Sequence, residues 1–225
     1  ASLYFRAFNE PFVEEIRGYA VNYFGKILFN LGWEPQKSDK HTDALLRGFA
    51  ISVLGKMDDE EVTNEALRRY KKFLKSPSSI SPDLVEPICS IAAWNGNAKT
   101  HAELTKLYKT AKTMEEKLRF LGALCGFKDK KLLLKSLDFS QTSQVRSQNM
   151  TLPINKVAAN PYGDKVLWSW LKKNWKNINK KVGHGNPLFN RIVASITSVA
   201  DDSMEKEIKT FFHAQSKACF IYLAT

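Results

Sequence analysis

The stretch Pro11–Leu31, PFVEEIRGYAVNYFGKILFNL, decides the class of fold. Its apolar side chains Phe12, Ile16, Tyr19, Tyr23, Ile27 and Leu31 recur every three or four residues, which lines one face of an α-helix and does not fit a strand. Asn9 is placed to act as N-cap with Pro11 in the first turn, and Gly32 as a left-handed C-cap. Trp33 and Pro35 then end the segment, because proline cannot continue the hydrogen-bond ladder.

The same pattern continues outward. A second helix is expected from Ser38 to Met57, with Asp39 and Asp43 near the positive end of its dipole. A third runs from Asp58 to Lys75, acidic at its start and basic at its end, and the connector SPSSISP follows at Ser76–Pro82. Further helices are expected at about 82–95, 99–112, 113–127, 129–138, 145–159, 162–182, 188–199 and 202–212, separated by turn signals such as Asn160-Pro161. No segment sustains a two-residue alternation, so strands have little support. The expectation is an all-α chain forming a single domain over residues 1–225, a curved stack of antiparallel helix pairs of the HEAT/armadillo-like α-solenoid kind.

Composition narrows the possible functions. The chain has 225 residues, 44% of them hydrophobic, which is enough apolar surface to offset chain entropy. No apolar run approaches the ~20 residues that span a bilayer. No signal segment is recognised in ASLYFRAFNEPFVEE, and a reducing, cytoplasmic setting is the expectation. Cys89, Cys125 and Cys219 are odd in number, widely spaced and set among apolar neighbours, which reads as core thiols. The net charge of +11 points to an anionic partner without choosing one. Catalytic parts are scarce. The four histidines make no metal-ligand pair, and no H-E-x-x-H, Cys-x-x-Cys, phosphate loop or G-x-S-x-G elbow occurs. Asp58-Asp59 and Asp201-Asp202 sit at expected helix starts, where capping explains them.

Several stretches go beyond generic helix. Leu31-Gly32-Trp33-Glu34-Pro35 is followed by His41-Thr42-Asp43-Ala44-Leu45-Leu46-Arg47-Gly48, then by Glu115-Glu116-Lys117-Leu118-Arg119 and Val145-Arg146-Ser147-Gln148-Asn149. Asn160-Pro161-Tyr162-Gly163, Trp168 and Asn174-Trp175 come after them. In this order the chain, from about Phe29 to Phe212, resembles the C-terminal helical domain of M1-family zinc aminopeptidases of the puromycin-sensitive and tricorn-interacting-factor types. The resemblance implies a non-catalytic domain that encloses a peptide-binding cavity and assists substrate selection in N-terminal trimming. It implies two partners, a peptide substrate and the catalytic domain of the same chain, with zinc held in that missing domain and no cofactor in this one. The abrupt start favours a piece of a longer enzyme. Three features depart from the family: Asn149 replaces an acidic residue, Pro153 should kink the helix begun near Val145 or leave a carbonyl unpaired, and the sequence beyond Phe212 diverges.

The same resemblance makes Arg146 and Gln148 candidates for receiving the peptide's C-terminal end, with Asn155 farther along the same helix, and His184 and Arg191 around the Gly183–Pro187 turn as lesser candidates. A guanidinium fork matches a carboxylate, although Arg146 could equally satisfy helix-end carbonyls or an acidic neighbour. The LGWEP…HTDALLRG pair reads as a packing signature, with an Asp43–Arg47 ion pair available on one helix. In Lys165–Lys181, Lys165, Lys172, Lys173, Lys176 and Lys180 take one side, and Leu167, Trp170, Leu171, Ile178 and Val182 another. A solvated face explains this stripe. A phosphate grip with Trp168 and Trp175 stacking on bases is the alternative, and nucleic acid is the less favoured partner. A stand-alone solenoid that binds proteins through its concave face is the remaining alternative.

Overall fold

The computed structural model describes residues 11–182, 187–197 and 202–215. Eleven α-helices and two single 3-10 turns are found among them, and no strand. The helices are α1 (Val13–Leu31), α2 (His41–Lys56), α3 (Glu60–Lys75), α4 (Pro82–Trp94), α5 (Ala98–Thr110), α6 (Met114–Ala123), α7 (Lys130–Gln141), α8 (Thr151–Ala158), α9 (Asp164–Val182), α10 (Pro187–Thr197) and α11 (Asp202–Gln215). The chain divides into two compact units, residues 1–128 and 129–225.

Local chemistry sets the helix ends. The carboxylates of Asp59 and Asp129 and the side-chain oxygens of Asn97 and Thr113 each accept a backbone N–H of the first turn, which satisfies donors with no partner inside the helix. Gly32 stops α1 at φ 62°, ψ 179°, a backbone conformation open to glycine, while its N–H still donates to the Leu28 carbonyl at 2.8 Å.

In the first unit, α4 is the central element. It packs against α2, α3, α5 and α6 and buries nine of its thirteen residues. Gly55 of α2 permits the close approach to α4, since a Cβ there would stand 2.3 Å from the Ile91 side chain. Cys89 and Cys125 are buried free thiols, and burial pushes the Cys89 thiol far above its ordinary pKa, so both behave as core residues. Cys219 lies outside the described residues.

The motif pair LGWEP…DALLRG is indeed a packing device, but its ion pair is not the expected one. Arg47 is 1% exposed and donates to the Gly32 and Leu31 carbonyls at the end of α1, at 2.9 and 3.1 Å, and to the Asp39 carboxylate at 2.6 Å. Asp43 instead accepts the Lys40 N–H at the start of its own helix. Asp39 lies ahead of the helix, where the chain returns over the end of α1, so tertiary geometry overrides the four-residue spacing. Glu34 and Trp33 reach α3: the Arg69 guanidinium lies 2.7 Å from the Glu34 carboxylate and 4.8 Å from the centre of the Trp33 ring.

In the second unit, α9 packs on α7, α8 and α10, and α8 packs on α10. Trp175 lies against Phe189, Phe211 and Phe212 at centroid distances of 5.1, 5.8 and 5.0 Å, so the aromatic rings of α9, α10 and α11 form one core. The Asn160-Pro161-Tyr162-Gly163 sequence is the corner between α8 and α9, with the Tyr162 N–H donating to Asn160 Oδ1 at 2.9 Å. The helix expected from Val145 begins only at Thr151, after a 3-10 turn at Ser147–Asn149. Pro153 therefore occupies the first turn, where its missing N–H has no partner to lose, and the expected kink is replaced by a later start.

Candidate functional site

The segment that carries Arg146 and Gln148 is pinned at both ends. Val145 and Met150 are buried, and between them the Asn149 N–H donates to the Arg146 carbonyl at 2.9 Å, closing the 3-10 turn. The backbone at Arg146 is extended (φ −61°, ψ 143°), so Arg146, Ser147 and Gln148 all project to solvent. Among the described residues, the Arg146 guanidinium has no carboxylate or carbonyl partner, and the Gln148 amide none either. The alternative role for Arg146, capping a helix end or pairing with an acid, has no such contact among the described residues.

Asn155 does not share a helix with Arg146 and Gln148. It is exposed on α8, and its side-chain oxygen meets the hydroxyl of Ser195 on α10. That hydroxyl also lies 2.7 Å from the Arg191 carbonyl one turn earlier, so Asn155 and Arg191 are brought together through the α8–α10 contact. Arg191 is exposed. His184 lies outside the described residues. Thus two of the five candidates occupy one turn and two more a neighbouring helix pair, all within the second unit.

The electrostatics of that unit favour anions. Residues 129–225 contain 15 Lys and Arg against 7 Asp and Glu, while residues 1–128 contain 19 against 16, so most of the net charge of +11 belongs to the second unit. One carboxylate there is firmly held: Glu207 accepts from Lys172 Nζ at 2.5 Å and from the Trp168 indole N–H at 2.7 Å, and these bonds keep its pKa below the ordinary range. Trp168 and Trp175 are both buried, which removes the base-stacking faces that the nucleic-acid reading required.

Among the described residues, no group of three or more His, Cys, Asp or Glu side chains is placed to hold a metal ion. No helix among them is long and apolar enough to cross a membrane.

One feature escaped the sequence reading. Among the described residues, seven of the eight large apolar side chains that are exposed belong to α1, α2 or the residue before α1, including Tyr19, Tyr23, Phe29, Leu45 and Phe49. Tyr19 stacks on Tyr23, Tyr23 meets Phe24 edge-on, and Phe24 meets Phe49, giving a continuous aromatic ladder across the two helices. The density of Tyr and Phe in Pro11–Leu31 was its only signal.

Comparison with known proteins identifies the family of the chain. The model of the ERAP1-like C-terminal domain matches residues 1–220, extending the resemblance past both ends of the Phe29–Phe212 stretch. The chain is 28% identical over 214 residues to Aminopeptidase M1-D of Oryza sativa subsp. japonica, covering 92% of this chain and 24% of that protein. It is 28% identical to Aminopeptidase M1 of Arabidopsis thaliana over 93% of this chain and 24% of that protein. It is 30% identical to "Aminopeptidase 2, mitochondrial" of Saccharomyces cerevisiae over 85% of this chain and 20% of that protein. The chain thus spans about a quarter of the length of these relatives, and it belongs to the ERAP1-like C-terminal domain family.

Proposed function

We propose that this chain is the non-catalytic, peptide-enclosing domain of a cytoplasmic zinc metalloaminopeptidase, both units acting as one helical-repeat domain that receives the distal end of a peptide during N-terminal trimming. The observation that carries the reading is the exposed turn Arg146–Gln148, fixed by buried Val145 and Met150 and presenting a guanidinium with no carboxylate or carbonyl partner among the described residues. An exposed planar fork suits a terminal carboxylate, because it can donate two parallel hydrogen bonds to it. Asn155 and Arg191 supply further polar groups in the same unit, and His184 joins them in this proposal. Zinc belongs to the catalytic part of the enzyme, and no chemical step is assigned to this chain. The apolar face of α1 and α2 supports the second partner, since it offers the catalytic part of the same enzyme a surface on which to pack.

The test is a titration of intrinsic tryptophan fluorescence with one mixed-sequence peptide, as the free acid and as the C-terminal amide. Tighter binding of the free acid, reduced about tenfold or more by Arg146→Ala, is the expected outcome. Equal binding of acid and amide, or an unchanged free-acid affinity in Arg146→Ala, rejects the carboxylate-receiving role.

A further inference from the structure

A basic stripe of the second unit is left unused by the peptide reading. On α9, Lys165, Lys172, Lys173, Lys176 and Lys180 fall within about 100° of helical arc, and the line from Lys165 to Lys180 is about 22 Å long. No acidic residue follows Asp164 in this helix. Lys172 is committed to Glu207 and lies over the Trp168 ring. The other four lysines are exposed, and among the described residues none has an ion-pair or hydrogen-bond partner. Opposite them, Leu167, Trp168, Trp170, Leu171, Trp175, Ile178 and Val182 are buried, so packing of the aromatic core holds the lysine side of the helix toward solvent.

We propose that this stripe is a docking surface for an anionic lipid membrane, on which α9 lies flat and holds the domain by charge alone. Three observations select this partner among polyanions. The cations are all ammonium groups on flexible stems, which match mobile headgroups rather than a carboxylate in fixed geometry. The unit's tryptophans that could stack on bases are buried, so single-stranded nucleic acid finds no platform. The stripe is linear and carries no exposed apolar wedge, which fits adsorption on a planar surface without insertion. The inference does not depend on the aminopeptidase reading, and its test contains no peptide.

The experiment is cosedimentation of the full 225-residue chain with vesicles of phosphatidylcholine, with and without about 30 mol% phosphatidylserine. Binding is expected only with phosphatidylserine, and it should weaken at least tenfold when salt is raised to about 0.5 M. The variant K165Q/K173Q/K176Q/K180Q should reduce the partition coefficient by about 50-fold or more with an unchanged thermal melt. The variant K71Q/K75Q/K106Q/K109Q removes the same charge from the first unit and should bind within about fivefold of the wild type. No binding to phosphatidylserine vesicles overturns the proposal. So do equal losses in both variants, which would reduce the effect to net charge, or a short single-stranded oligonucleotide that binds the stripe while vesicles do not.

Discussion

Helices α1 and α9 are both nineteen residues long, yet α9 buries seven of its residues and α1 only Leu28. The difference lies in what surrounds them. α9 touches α7, α8 and α10 and supplies two tryptophans to a shared aromatic cluster, whereas the chief partner of α1 is α2. On α1, Val13, Ile16, Ala20, Val21 and Phe24 face the Val53–Met57 cluster, and the tyrosines face outward. Helix length and apolar content therefore do not predict burial; the number of neighbouring elements does. An apolar helix with one neighbour keeps a face free for a partner, and an amphipathic helix with several neighbours anchors its unit.

The largest effect should come from breaking the anchored side. Trp175→Ala, at 3% exposure and within a cluster of three phenylalanines, should cost about 3–5 kcal/mol in urea denaturation. A loss below about 1 kcal/mol would mean that the cluster closes over the cavity and that α9 is not the anchor.

Next comes the joint by which α1 is held to α2. Arg47→Ala strips the Leu31 and Gly32 carbonyls of their donor and leaves a void where a buried guanidinium stood. Destabilisation of about 2–3 kcal/mol is expected, with α1 amides exchanging faster with deuterium while those of α4 are less affected.

A smaller effect sharpens the comparison by pH. The Arg68 hydrogen bond, with Arg69 beside it, holds the Glu65 carboxyl at about 2 against an ordinary 4.5. A depressed acid contributes its stability above pH 4.5 and loses it as pH falls toward 2. Because the side chain is partly exposed, solvent screening reduces the contribution to about 1 kcal/mol. The loss of stability between pH 7 and pH 3 should therefore be smaller in Glu65→Gln than in the wild type, by up to about that amount, in denaturation curves.

The smallest effect is expected at Phe29, 89% exposed on α1, where Phe29→Ala should change stability by no more than about 0.5 kcal/mol. A markedly larger loss would show that the outward face of α1 is already covered in the isolated chain.

Much of this was legible from residue order alone. The helices, most of their boundaries and the division of α9 into a lysine side and an apolar side follow from spacing, since lysines mark the wet face without ambiguity. On α1 the spacing does not choose the packed face. Its apolar residues circle the helix, and the stripe through Phe12, Tyr19 and Tyr23 is as regular as the one through Val13, Ala20 and Phe24 that actually packs. In the candidate site, the family resemblance makes Arg146 and Gln148 candidates, and the helix expected to carry them is replaced by a short turn between two buried side chains.

The sequence by itself determined the all-α class, the punctuation of the helices by Gly32, Asn160 and the capping aspartates, and the membership of a family, because these rest on local geometry and on motif order. The tertiary structure alone decided which face of α1 is buried, that Arg47 seeks Asp39 rather than Asp43, and that Asn155 meets Ser195 on another helix. Those outcomes depend on which elements come to lie side by side. Spacing along one helix places side chains around its axis, but only the neighbours that pack against it choose the face that leaves water.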